Sequence, residues 1–212
     1  MTMTMPSIAP YDMPAEHELP AGPAAWRPDA RRAVLLIHDM QRYFVDCFPP
    51  ERSPVRELLA NVDALRDAAA ARGIPVRYTA QPGRMSRAER GLLHDVWGPG
   101  MTDDPGSRGI VAELAPRPAD TVVTKYRYSA FHRTGLAADL AALGRDQLIV
   151  CGVFAHLGCL LTACDAYAHD IQPFLVADAV ADFTEADHRM ALDFAARSCA
   201  VPLTTGRLLT LL

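Results

Sequence analysis

"QLIVCGVFAHLGCLLTACDAY", Gln147–Tyr167, is the stretch that decides the fold. Its first six residues form an unbroken apolar run, as strands buried on both faces do. From Leu157 to His169 the chain is apolar nearly all round and long enough for a buried helix. A buried strand running straight into a helix is the repeating unit of a parallel α/β sheet. The same stretch raises a chemical question. Cys159 falls near the predicted helix start, where the positive end of the helix dipole favours a thiolate.

Outward from there, similar apolar runs recur: "AVLLIH" (33–38), "PVRYTA" (75–80), "TVVT" (121–124), "PFLVAD" (173–178) and a weaker "AVPLTT" (200–205). Helical periodicity fills the gaps. Val55–Arg72 has apolar residues at 55, 58, 59, 62, 65 and 69, then Gly73 as a stop. Thr134–Leu143 ends at Gly144, and Thr184–Cys199 opens on Thr184 and Asp187, spaced like a capping box. The alternation predicts one α/β domain over 31–212, three layers (α/β/α) around a six-stranded, mainly parallel, Rossmann-like sheet. Residues 1–30 are rich in proline and read as an extended arm.

The composition narrows the function. Net charge is −4, half the residues are hydrophobic and mean hydropathy is +0.03. No basic surplus points to nucleic acid or an anionic membrane. No run reaches the roughly 18 apolar residues of a membrane span, and the N-terminus lacks the pattern of a signal peptide. Five cysteines at 47, 151, 159, 164 and 199 are scattered, as reduced thiols in a cytoplasmic protein are. Neither they nor the histidines have metal-ligand spacing, so no metal is expected.

Parallel sheets bind ligands beyond the carboxyl ends of their strands. That rule selects His38-Asp39-Met40-Gln41, Gln81, Lys125, Phe154 through Gly158, and Asp178. Asp39 and Lys125 are an acid and a base at the ends of different strands. Position alone leaves open a turn cap for Asp39 and a solvated side chain for Lys125; Asp178 reads as a turn or cap residue. The long connection from Gln81 to Asp120 makes no strand and holds one helical piece, with Ser86 and Glu89 placed as a capping box before "RGLLHDV", then "WGPG" (97–100). It is either a lid or a peripheral excursion. Arg90 then faces the pocket or solvent, and Trp97 lines the pocket or packs the loop.

"LLIHDMQRYF", "YTAQPG", "RGLLHDVWGPG", "TKYRYSAFHR", "GRDQLIVCGVFAHLGC" and "DIQPFLVADAVADF" together resemble the isochorismatase family, in particular its vinyl-ether-hydrolysing branch. The resemblance runs in order from about Ile8 to the C-terminus. It implies hydrolysis of the enolpyruvyl ether of isochorismate, or of aminodeoxyisochorismate, in siderophore, phenazine or other secondary metabolism. It also implies catalysis without a cofactor, a small dicarboxylate as substrate and a homodimer; some siderophore relatives carry an appended carrier domain, and with the sequence ending at "GRLLTLL" none is expected here.

Amidases of the wider superfamily use a cysteine at the head of the helix after the fourth strand. Matched to that pattern, Gly158 and not Cys159 holds the nucleophile position. One residue along an α-helix turns a side chain by about 100°, so Cys159 is expected to point elsewhere. By resemblance, Asp39 is the catalytic acid and Lys125 orients groups and balances charge. Arg90 binds a carboxylate, Gln81 hydrogen-bonds the ether or ring, and Trp97, Phe44 and Tyr128 are pocket walls. The backbone near Phe154 and Gly158 binds a second carboxylate, with bare Gly158 letting substrate approach closely. A non-proline cis peptide is expected near Val153–Phe154. Acid catalysis also leads us to expect a raised Asp39 pKa, through burial, with Lys125 opposing it. The sequence departs from the family at Phe154, where close relatives have tyrosine, and at Tyr126, where tryptophan is usual.

Overall fold

The computed structural model describes residues 5–212. Six strands form one sheet: β1 (Ala33–His38), β2 (Val76–Ala80), β3 (Thr121–Thr124), β4 (Gln147–Val153), β5 (Gln172–Ala181) and β6 (Val201–Leu203). Their spatial order is β3-β2-β1-β4-β5-β6, and every neighbouring pair is parallel. The helices are α1 (Arg42–Val45), α2 (Val55–Ala71), α3 (Arg87–Arg90), α4 (Leu93–Trp97), α5 (Pro105–Arg108), α6 (Leu136–Ala142), α7 (Leu160–Ala168), α8 (Glu185–Ser198) and α9 (Thr205–Leu211).

The apolar stripe of α2 (Val55, Leu58, Val62, Leu65, Ala69) packs on one face of the sheet together with Leu208 of α9. Leu136 and Leu140 of α6, with α7 and α8, cover the other. Each layer buries a stripe that water would otherwise solvate, which is why the sheet can be parallel throughout. The expected three-layer class therefore holds. The strand order reverses between β1 and β4, and the crevice at that point is where a ligand is expected.

Four details differ from the sequence reading. Although β3 is apolar enough to suggest a buried strand, it lies at the sheet edge, bonded only to β2, and Val122 is 45% exposed. Strand β5 runs on past Asp178 to Ala181, because its ladder with β4 resumes beyond a bulge, pairing Gly152 with Val180 and Val153 with Ala181. Asp178 consequently sits inside the strand, where its carboxylate accepts hydrogen bonds from Thr205 N (2.6 Å) and Oγ1 (2.8 Å) at the start of α9. The helix after β4 opens as a π-helical turn, Ala155–Cys159. Finally, the 81–120 connection holds three short helices rather than one.

Of the arm expected over 1–30, residues 1–4 lie outside the described part. The remainder carries one 3-10 turn, Glu16–Glu18. It lies against the domain: Ile8 is buried, its N–H donates to Cys47 O at 2.9 Å, and the Tyr11 hydroxyl accepts from Asp182 N at 2.8 Å.

Candidate active site

A pocket partly open to solvent sits over the carboxyl ends of β1, β2 and β4 and beside the first residue after β3. Asp39, Lys125, Gln81, Arg90, Trp97, Phe154, Gly158, Phe44 and Tyr128 all line it. Residues from 39 to 158 in sequence thus meet at one point. Sequence reading gave no role to His38 or Leu157 and did not select Tyr43, Met101 or Phe183, which line it too. Their only signal was adjacency to motifs already noted.

Asp39 follows β1 in a left-handed backbone conformation, φ 49°. That turn folds its side chain back across the strand ends. The Thr79 hydroxyl donates to Asp39 Oδ1 at 2.6 Å and accepts from Asp39 N–H at 3.0 Å. Lys125 Nζ and Gln81 Nε2 both reach Oδ2, at 2.8 Å and 3.2 Å. The remaining Lys125 N–H groups donate to Arg127 O (2.9 Å) and Tyr128 O (3.3 Å). Three acceptors for three N–H bonds is the environment of an ammonium, and both members of the pair are buried.

The raised Asp39 pKa expected from the sequence is not found in this state. Burial does push it up, but Lys125 and the hydrogen bonds from Lys125 and Thr79 outweigh burial and hold the carboxyl below its usual range. The resting site is an ion pair. Gln41, quoted in the sequence reading without a role, pins the next strand end: its amide donates to Gln81 O (3.0 Å) and Arg108 O (2.7 Å) and accepts from Gln81 N–H (2.8 Å).

The connection between β2 and β3 supplies the pocket roof. Ser86 caps α3 through Glu89 N–H at 3.2 Å, which fixes the helix carrying Arg90. Arg90 is 5% exposed and donates to Gly98 O at 2.7 Å, but it forms no ion pair with any described residue. Burial lowers its pKa. Trp97 donates to the Tyr128 hydroxyl at 2.5 Å and stacks on Phe183 (5.7 Å between centroids). Phe183 stacks in turn on Phe154 at 4.1 Å, and Phe44 meets Phe154 edge-on at 5.9 Å. This wall is aromatic, and at position 154 it carries no hydroxyl.

The Val153–Phe154 peptide is cis, as the resemblance implied. In the turn that follows, Asp182 accepts from His156 N–H at 2.6 Å and from its Nδ1 at 2.8 Å. His156, Asp182 and Asp187 therefore converge although their sequence spacing gave no hint of it. Each is engaged internally, Asp187 by the Thr184 hydroxyl at 2.7 Å. Cys159 lies on the far side of the turn, wholly buried in the α6–α8 core, and burial keeps its thiol protonated far above the usual range. The expectation that it is not the nucleophile agrees with that placement.

Gly158 requires a correction. On its Cβ side it leaves no open space for a ligand, although it lines the pocket. The imidazole of His38 fills that space: a Cβ at 158 would fall 2.0 Å from His38 Cε1.

The family description "Isochorismatase domain" matches residues 33–207. The chain is 52% identical over 207 residues to an isochorismatase of Bacillus subtilis, covering 98% of this chain and 66% of that protein. It is 52% identical over 205 residues to the phenazine biosynthesis protein PhzD1 of Pseudomonas aeruginosa, covering 97% and 98%. In solved structures, a cysteine hydrolase from Pseudomonas syringae shares the fold with a TM-score of 0.78 at 24% identity, over 87% of this chain and 94% of that one.

Proposed function

Because this chain belongs to the isochorismatase family, we propose that it hydrolyses the enolpyruvyl vinyl ether of isochorismate, or of its amino analogue, to release pyruvate. One observation carries this reading above the amidase alternative. The cavity holds a buried carboxyl that accepts three hydrogen bonds and, at the position where a thiol would attack, a glycine.

The chemistry follows from the residues. The vinyl ether carbon must take a proton, and Asp39 is the acid nearest the cavity. A dianionic substrate brings negative charge beside Asp39 and expels water; both raise its pKa and draw a proton to it. Protonation of the methylene carbon leaves an oxocarbenium ion. Water adds to the adjacent, ether-bearing carbon and gives up a proton that restores the acid; the hemiketal collapses to pyruvate and a dihydro-dihydroxybenzoate, or a dihydro-hydroxyanthranilate from the amino substrate. No covalent enzyme intermediate is needed. Lys125 then stabilises the Asp39 carboxylate that proton transfer leaves behind. Arg90 pairs with one substrate carboxylate, the backbone near Phe154 and Gly158 takes the other, and Gln81 holds the ether or ring hydroxyl. Trp97, Phe44 and Tyr128 shape the wall, which shields the cation from solvent.

Pyruvate release from both substrates tests the reading. Asp39→Asn is expected to lower kcat by about 10²–10⁴-fold, the contribution of a positioned general acid. Cys159→Ser should leave it within about threefold. The opposite pattern would assign the chemistry to the thiol and sink this mechanism.

We also infer a homodimer working in the cytoplasm. Leu161, Tyr167, Met190 and Phe194 are exposed apolar residues on α7 and α8 and suit a second copy; sedimentation equilibrium would reveal a monomer if this is wrong. The five cysteines are all free, which suits a reducing compartment. No helix among the described residues is long and apolar enough to cross a membrane.

A further inference from the structure

His38 has no role in the chemistry above, yet it is wholly buried at the centre of the site. Its Nδ1–H donates to Val153 O at 2.8 Å, and Nε2 lies 3.3 Å from Tyr128 O, the same carbonyl that accepts from Lys125. Asp39 is its chain neighbour. Two glycines make room for it. A Cβ at Gly152 would fall 2.1 Å from the His38 carbonyl oxygen, and one at Gly158 would fall 2.0 Å from ring Cε1 and 2.7 Å from Nδ1. The strands place these residues side by side, since His38 pairs with Gly152 in the β1–β4 ladder. Although His38 borders the cavity, it offers no accessible surface to a ligand.

Resting on the hydrolase reading, we propose that His38 is the positioning residue of this site. Its imidazole occupies the volume a nucleophilic side chain at 158 would need, and from there it holds Asp39 and Lys125 in register for acid catalysis. Positions 38 and 158 then form one interlocked choice. A ring at 38 with a bare 158 gives proton-transfer chemistry; a side chain at 158 requires a smaller residue at 38.

A double-mutant cycle of Gly158→Ala, His38→Ala and the pair tests this, with melting temperature and pyruvate kinetics as readouts. Gly158→Ala alone should lower kcat by about 10²-fold, the scale of a 1 Å misplacement. In the His38→Ala background the same change should cost less than about threefold, because contacting sites couple. KM should stay within about threefold throughout, since the ring does not touch substrate. His38→Asn keeps an amide donor for Val153 O and should recover kcat at least about tenfold over His38→Ala.

Additive losses in both melting temperature and kcat would overturn the interlock. So would a His38→Ala variant that changes KM and spares kcat. If His38→Ala does not fold, the cycle runs on His38→Asn, where Gly158→Ala must remain as damaging as in the parent because the side chain still fills the space. Melting temperatures report on the interlock without any substrate. A parent protein that releases no pyruvate therefore sinks the hydrolase reading, and with it the catalytic half of this proposal, while coupling in melting temperature still decides the steric half.

Discussion

Asp39 and Lys125 show how one contact sets a resting charge state. A buried carboxyl left alone would rise in pKa; 2.8 Å from an ammonium it falls. Lys125→Met removes the lowering partner and leaves the burial. Asp39 should then titrate above the ordinary carboxylate range, as carboxyl ¹³C shifts would register; an unmoved titration would mean that Lys125 is not the controlling charge. The same change removes one side of a buried ion pair, so stability should fall by about 3–5 kcal/mol. At this scale the sequence was readable for residue identity. Asp39, Gln81, Lys125 and Gly158 were found from motifs at strand ends. The sign of the Asp39 shift was not readable, because it depends on a balance between burial and two hydrogen-bond distances that no spacing encodes. Nor was the overlap between position 158 and the His38 ring, which lie 120 residues apart in the chain.

The connection between β2 and β3 is an element whose work is to bring a cation over the cavity. Its capped α3, the Gly98 carbonyl and the flat approach permitted at Gly100 together orient the Arg90 guanidinium; a Cβ at 100 would fall 2.5 Å from Arg90 Cζ. If Arg90 holds a substrate carboxylate equally in ground and transition states, Arg90→Ala should raise KM about 10–100-fold, the worth of a charged hydrogen bond, with kcat little changed. Arg90→Lys should rescue poorly, because a point charge lacks the guanidinium fork. A fall in kcat at constant KM would argue against simple carboxylate binding. The sequence exposed this connection through its length and its capping box. It did not separate α3 from α4 or find α5, because spans of four or five residues are too brief for periodicity to register.

Across the whole molecule, buried histidines make the fold sensitive to acid. Burial pushes His38 and His188 from the ordinary value of 6.5 down to about 4. The unfolded chain binds those protons first, so the stability they confer is complete above pH 6.5 and is lost as pH falls toward 4. Each is worth on the order of 3 kcal/mol across that window. Denaturant midpoints measured from pH 7 to 4 should drop steeply, and His188→Asn should flatten part of the curve; a flat profile in the parent would refute it. Sheet class and strand count were legible because buried parallel strands leave apolar runs. Edge position was not: "TVVT" reads as interior, and only the strand order shows otherwise.

That strand order has a topological consequence. The first half of the chain provides β1 and β2, which lie between β3 on one side and β4 on the other. A chain cut in the exposed bend at Asp103 would leave a C-terminal piece in which β3 is parted from the β4-β5-β6 run, and an N-terminal piece, β1-β2, with two open sheet edges. Neither piece could close the pocket by itself, and each is the missing middle or flank of the other. Such a cut parts β3 from β2, its only partner, and β1 from β4, so activity regained on mixing the pieces would report that both pairings had re-formed.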